Sequence, residues 1–244
     1  RQRQMCIRDR CICMSQSLSE SLKSLASPII NQIYNDDFIQ SMLDGSTPKG
    51  SIEHYLRADH QYLNEFAKIY ALLVPKAHTN EEMNFLLSQI DFVINGEVDA
   101  HYFLSEYVGK SYEDIIKGHH HWYPSADHYV KHMYYQVNMR EDIAYTVAAM
   151  CPCPYVYQQL ALKMKEHHSL ESNHPMLKWI DFYVEGMDEL LEYLFNWIDQ
   201  SAEMMSQDEV EDVKMNFLQS CEHERKFFNM SYQQEDWMWN NDEQ

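Results

Sequence analysis

One cysteine in this chain has a sequence context that could make it a nucleophile. Cys153 directly precedes Pro154, where a long amphipathic segment resumes, and Tyr157 follows one turn later. The residue before a proline avoids the helical region and proline favours the first helical position, so we predict that Cys153 is the N-cap of a helix beginning at Pro154. There, free backbone N–H groups and the helix dipole would favour the thiolate. The alternative is a small buried cysteine that fills a gap in the core.

Two carboxylates and a tyrosine fall on apolar helix faces. Asp59 stands where a core residue belongs in the stripe over 52–73, and Glu224 continues the stripe over 217–228. Tyr183 faces inward by the same spacing. A buried carboxylate must be paired, protonated or next to a cavity, so these groups could satisfy tyrosine hydroxyls or backbone in a polar core layer. Together with the cysteine, they favour an apolar ligand pocket with a few converging polar groups.

Histidines near acidic residues raise the alternative of a metal site. Glu97 and His101 lie four residues apart, His167 and His168 are adjacent, and the segment 222–224 reads Glu-His-Glu. Such residues on several helices of a bundle can form a di-iron centre, but the repeated Glu-x-x-His spacing is missing. The three histidines at 119–121 fit a solvated loop. We therefore expect no metal.

Composition limits the classes of partner. The 244 residues are 45% hydrophobic and carry a net charge of −19, with 6 glycines and 7 prolines. So acidic a surface disfavours nucleic acid and anionic membranes as partners, because it offers no basic stripe to phosphate. No apolar run approaches the roughly 20 residues that span a bilayer. These properties favour a soluble protein.

The first thirteen residues do not match the rest of the chain. Residues 1–13 contain four arginines and three cysteines, without amphipathic periodicity or a signal-peptide core. We expect them to be a non-native leader and Met14 to be the native start. Beyond them only Cys151, Cys153 and Cys221 remain, without the spacing of a disulfide framework, which predicts a reducing cytoplasm.

Hydrophobic periodicity close to 3.6 residues predicts helices almost throughout, and we expect one all-α domain over 14–244. The predicted helices are 18–34, 36–44, 51–74, 80–108, 111–117, 125–137, 139–150, 154–169, 174–202 and 207–231. The predicted N-caps are Ser51, Asn80, Ser125 and Ser206.

Five segments in order resemble the thiaminase II (TenA) family, in its cysteine-containing branch. The resemblance covers essentially 17–240. Its segments are Tyr55 to Phe66, Tyr129 to Tyr134, Pro152 to Tyr157, Lys178 to Tyr183 and Glu224 to Met230. It implies a single-domain, haem-oxygenase-like helical bundle that binds no haem and forms homotetramers. The implied activity is hydrolysis of thiamin or of 4-amino-5-aminomethyl-2-methylpyrimidine to hydroxymethylpyrimidine for thiamin salvage, without metal or organic cofactor.

The resemblance also implies a role for each matching residue. Cys153 would be the nucleophile, Glu224 the acid/base carboxylate, and Asp59 the carboxylate that recognises the aminopyrimidine. The residues implied to line the pocket are Tyr62, Tyr129, Tyr157 and Tyr183, with Phe227 packing nearby. Two alternatives remain open: a haem-oxygenase-like di-iron oxidase and a regulator that binds the pyrimidine without turning it over.

Overall fold

The computed structural model describes residues 16–241, and within them every regular element is helical. The predicted leader and residues 14–15 lie outside the described residues. The helices are α1 Leu18–Asn35, α2 Asp37–Leu43, α3 Lys49–Leu73, α4 Asn80–Asp91, α5 Val98–Val108, α6 Tyr112–Ile116, α7 Pro124–Met139, α8 Ile143–Met150, α9 Pro152–His167, α10 Leu177–Glu185, α11 Asp188–Ala202, α12 Gln207–Gln233 and α13 Met238–Asn241. A 3₁₀ turn, Val74–Lys76, follows α3, and a π-helical turn, Phe92–Gly96, follows α4.

The two longest helices form the centre of the bundle. Helix α12 packs on α1, α3, α7, α8 and α9, and α3 packs on α4, α5 and α7 as well. Their apolar stripes face each other because each repeats near the helical period. Asp59 and Glu224 lie on these facing stripes and are 5% and 2% exposed. The inward positions predicted for both carboxylates are therefore confirmed.

Two long predicted helices are each broken in the structure. The segment predicted as 80–108 is divided by the π-helical turn that ends at Gly96, and 174–202 is divided at Gly186. Glycine favours the helical state less than other residues except proline, so tertiary packing can interrupt a helix there at little cost. Both breaks border the pocket described below, which includes Phe92 and Met187 in its wall.

The predicted helix starts are partly wrong. Ser206 caps α12 in a capping box with Glu209, as predicted, whereas Thr79, one residue before the predicted Asn80, caps α4. Ser51 lies inside α3 and donates to the carbonyl of Tyr232 at 2.8 Å. Ser125 lies inside α7 and donates to the Glu235 carboxylate at 2.7 Å. Both hydroxyls bind the end of α12 or the segment after it, so a distant contact replaces the local cap.

Gly96→Ala tests whether the π-helical turn depends on its glycine. A Cβ atom at this position would lie 2.7 Å from Cδ2 of Phe92, so the ring must move. We expect a loss of about 1–3 kcal/mol in the free energy of unfolding, the usual result of overpacking. Urea titration of Gly96→Ala in the wild-type and Phe92→Ala backgrounds measures the coupling. An equal loss in both backgrounds would contradict the clash.

Candidate active site

Cys153 is buried in the first turn of α9 and is not the N-cap. Helix α9 begins at Pro152 and Cys151 occupies the N-cap position, so the predicted helix start is wrong by two residues. Both prolines are accommodated because the first-turn N–H groups of a helix have no partner within it. The Cys153 side chain nevertheless stays near the N-terminus of the helix.

The predicted ionisation of Cys153 is also wrong. Burial raises the pKa of the Cys153 thiol well above its ordinary value, and the charges of Glu224, Glu97 and Asp59 raise it further. A hydrogen bond with Tyr62 offsets only part of this rise. Desolvation therefore outweighs the helix dipole, and the group is a thiol that must give up its proton when it attacks.

Glu224 is a buried carboxyl group with a single side-chain hydrogen bond within residues 16–241. The hydroxyl of Tyr129 donates to its Oε1 at 2.8 Å. Burial raises the pKa of Glu224 from 4.5 to about 8, and the charges of Asp59 and Glu97 add to this effect, while the Tyr129 hydrogen bond opposes it. Near neutral pH this carboxyl group can hold a proton and release it, as a general acid or base must.

Asp59 is paired with a histidine rather than with a tyrosine or the backbone. Nε2 of His101 lies 2.7 Å from Oδ2 of Asp59. The chain of contacts continues from Nδ1 of His101 to the Tyr112 hydroxyl at 2.9 Å and from that hydroxyl to Nδ1 of His60 at 2.8 Å. The imidazole therefore fixes one carboxylate oxygen of Asp59 and leaves the other for a ligand.

Aromatic side chains connect these polar groups into one site. The hydroxyls of Tyr55 and Tyr157 lie 2.8 Å apart, and the ring centroids of Tyr157 and Tyr183 are 4.9 Å apart. The Phe227 ring packs edge-on against Tyr62 at 5.6 Å, and Tyr62 packs against Tyr129 at 5.2 Å. All eight residues proposed from the sequence are thus brought together: Cys153, Glu224, Asp59, Tyr62, Tyr129, Tyr157, Tyr183 and Phe227.

A narrow pocket opens beside Cys153, and its empty space together with the solvent at its mouth is about 330 Å³. Its lining is mainly aromatic and apolar: Phe66, Tyr70, Gln89, Phe92, Val93, Glu97, Cys153, Pro154, Tyr157, Tyr183, Met187 and Leu190. Of the proposed site residues, Cys153, Tyr157 and Tyr183 line this space directly, and the other five do not belong to its wall. Such a pocket suits a flat ring whose faces are apolar and whose edge carries donors and acceptors.

Sequence reasoning missed Glu97 as a pocket residue, and it also missed Tyr55 and Tyr70. The sequence analysis gives Glu97 only as a possible metal ligand with His101, although its spacing relative to the apolar positions of α5 is a signal for an inward position. In the structure, Glu97 contacts Tyr183 and His101 contacts Asp59.

Among residues 16–241, no three His, Cys, Asp or Glu side chains are arranged to hold a metal ion. None of the described helices is long and apolar enough to cross a membrane.

Comparison with known proteins identifies the family. The sequence model of the TENA/THI-4/PQQC family matches residues 24–234. The chain belongs to this family. It is 48% identical over 219 residues to the aminopyrimidine aminohydrolases of Staphylococcus aureus strains USA300 and COL, covering 90% of this chain and 95% of theirs.

Solved structures confirm the fold. A TenA homologue from P. horikoshii OT3 superposes with a TM-score of 0.75 at 18% identity, over 89% of this chain and 99% of that one. A domain of unknown function with a heme oxygenase-like fold, from Shewanella denitrificans OS217, superposes with a TM-score of 0.67 at 15% identity, over 88% of this chain and 91% of that one. The predicted single-domain, haem-oxygenase-like helical bundle is therefore correct.

The raised pKa of Glu224 makes stability depend on pH. The folded state keeps this proton up to about pH 8, whereas a carboxyl group of ordinary pKa 4.5 releases it on unfolding. The unfolded state therefore binds fewer protons in this window, and the contribution of Glu224 to stability falls as pH rises. As pH rises from about 5 to about 8.5, we expect the free energy of unfolding of Glu224→Gln to increase by roughly 2–4 kcal/mol relative to that of the wild type.

Urea unfolding at several pH values measures this difference. The matched control is Glu185→Gln, since Glu185 is exposed at the end of α10. The control should follow the wild-type pH dependence. If the free energy of unfolding changes with pH in the same way for the wild type and Glu224→Gln, Glu224 does not hold a proton in the folded state.

Proposed function

We propose that this chain is an aminopyrimidine aminohydrolase of the thiaminase II type. Its substrate would be thiamin or 4-amino-5-aminomethyl-2-methylpyrimidine, and its product the hydroxymethylpyrimidine used in thiamin salvage. The observation that carries the proposal is a thiol, Cys153, in the wall of an aromatic pocket with buried carboxyl groups close enough to shift its pKa. The 48% identity with enzymes named aminopyrimidine aminohydrolase supports the same activity.

Each polar group has a defined task in the proposed mechanism. Asp59, held by His101, accepts a hydrogen bond from the exocyclic amine of the pyrimidine. Glu224 takes the proton of the Cys153 thiol as sulfur adds to the ring carbon, and passes it to the adjacent ring nitrogen. The aromatic walls, including Tyr157 and Tyr183, hold the faces of the ring.

The remaining steps return the enzyme to its starting state. The electron pair of the exocyclic amine expels the leaving group from the methylene carbon, and water then adds at that carbon. The ring nitrogen gives its proton back through Glu224 to the sulfur as the C–S bond breaks. The net reaction exchanges an amine or a thiazole for a hydroxyl, and each step uses only protein side chains and water.

Cys153→Ser tests the covalent mechanism. A serine hydroxyl is a much weaker nucleophile than a cysteine at the same site, so we expect nearly all hydrolysis to be lost while pyrimidine binding is kept. The control is Cys151→Ser, which alters a buried cysteine outside the pocket lining and should retain activity close to wild type.

The assay should compare hydrolysis of thiamin and of the aminomethylpyrimidine by the wild type, Cys153→Ser and Cys151→Ser. Equal activity of wild type and Cys153→Ser would rule out the thiol as nucleophile. Binding of the pyrimidine by the wild type without any turnover would instead favour the regulator.

We also propose that the protein is a cytoplasmic homotetramer. All three cysteines in the described part of the chain are free, which suits a reducing compartment. Exposed apolar side chains on neighbouring surfaces of α3 and α7 support self-association: Leu72 is 42% exposed, Tyr135 56% and Met139 65%.

Light scattering on the purified protein tests the assembly. We expect a particle with four times the 29.2 kDa chain mass, because burial of these apolar side chains between copies would stabilise the oligomer. A mass equal to one or two chains would contradict the tetramer.

A further inference from the structure

Glu97 places a third carboxyl group in the pocket, and the mechanism above gives it no task. It lines the same cavity as Cys153, Tyr157 and Tyr183. Burial of the carboxyl group and the charge of Asp59 raise the pKa of Glu97 to about 8. A carboxyl group removed from water lowers the stability of the fold when it ionises. A function for Glu97 would therefore explain why an acidic residue stands at this position.

The π-helical turn before Glu97 directs it toward the pocket. The backbone N–H of Glu97 bonds to the carbonyl of Phe92 at 3.0 Å, closing the wide turn. The Phe92 ring lies over Gly96 and is itself part of the pocket lining. An uninterrupted α-helix would rotate Glu97 away from this position, and single π turns of this kind occur frequently at functional sites.

Glu97 has more free hydrogen-bonding capacity than the other two carboxyl groups. Its one side-chain hydrogen bond within residues 16–241 is a long one, 3.4 Å from the Tyr183 hydroxyl to Oε1. Asp59 has a close imidazole partner at 2.7 Å, and Glu224 accepts from Tyr129 at 2.8 Å. A carboxyl group that can accept up to four hydrogen bonds therefore faces the cavity with most of that capacity unused.

The leaving groups of the proposed substrates share one chemical property. An alkylammonium and a thiazolium are both cations, whereas the hydroxymethyl group of the product is neutral. A carboxylate is the strongest partner that a protein offers to such a cation, especially away from water. Asp59 and Glu224 are assigned to the pyrimidine ring, so the third carboxyl group remains for the substituent.

We propose that Glu97 recognises the cationic leaving group of the substrate and then serves as the base for the attacking water. This inference rests on the proposed aminohydrolase function. With an aminomethyl substrate, the C–N bond breaks and ammonia departs. The Glu97 carboxylate takes one proton from water as oxygen bonds to the methylene carbon, and transfers it to ammonia. The sum is alkylammonium plus water giving alcohol plus ammonium, with Glu97 unchanged.

Glu97→Gln separates cation recognition from a structural role, because glutamine has the same size and can still accept from Tyr183. The two ligands are 4-amino-5-aminomethyl-2-methylpyrimidine, which is cationic, and its hydroxymethyl counterpart, which is neutral. We expect affinity for the aminomethyl compound to fall about ten- to a hundredfold, the usual effect of losing a charge-assisted hydrogen bond. Affinity for the hydroxymethyl compound should change by less than about threefold.

Turnover provides a second measurement. We expect kcat for the aminomethyl compound to fall by about 10²–10⁴-fold in Glu97→Gln, the range for loss of a general base. Glu185→Gln, at the exposed end of α10, is the control and should change neither affinity nor kcat. Calorimetry on both ligands and steady-state ammonia release supply the data.

The outcomes are distinguishable from failure of the proposed function. Two results would show that the inference about Glu97 is wrong while the aminohydrolase proposal stands. In the first, the wild type hydrolyses the aminomethyl compound and Glu97→Gln has the same kcat and affinity. In the second, the variant loses affinity for both ligands equally. If the wild type binds both ligands without turnover, the aminohydrolase proposal fails, and loss of preference for the cation in Glu97→Gln still decides the recognition role. If the wild type binds neither ligand, both proposals are overturned.

Discussion

Glu97, Glu224 and the Cys153 thiol share one aromatic interior with Asp59, and burial together with the neighbouring charges makes each of the first three groups harder to ionise. Burial is the largest cause of the raised pKa values of Cys153, Glu97 and Glu224, and their mutual charges add to it. This interior therefore favours the protonated forms of Cys153, Glu97 and Glu224. A ligand that carries positive charge, or ring nitrogens able to accept protons, relieves the same constraint when it binds, which links substrate chemistry to the electrostatics of the fold.

The tyrosines make this interior compatible with a stable bundle. Tyr129 satisfies Glu224, Tyr183 contacts Glu97, and Tyr157 pairs with Tyr55. Each supplies an apolar ring to the core and one hydroxyl to another polar group of the site. These polar groups therefore have hydrogen-bond partners within the protein and depend less on water. The same rings form the flat walls of the pocket, and one set of side chains therefore serves both packing and proposed recognition.

Two helix breaks border the pocket, whereas the central helices are continuous. The π-helical turn Phe92–Gly96 and the break at Gly186 both supply lining residues, while α3 and α12 hold Asp59 and Glu224 without interruption. This division has a physical reason. A long helix fixes the direction of a side chain through its own hydrogen bonds, and a break allows neighbouring side chains to turn toward one cavity.

The sequence by itself determined the all-helical fold and the inward faces of Asp59, Glu224 and Tyr183, because helical periodicity is a local property. It also predicted the cap at Ser206, where the partner Glu209 is three residues away. Only the tertiary structure decided that His101 pairs with Asp59, that Glu97 enters the pocket, and that the pKa of Cys153 is raised rather than lowered. These depend on desolvation and contacts among α3, α5, α9 and α12, and elements far apart in sequence meet only when the chain has folded.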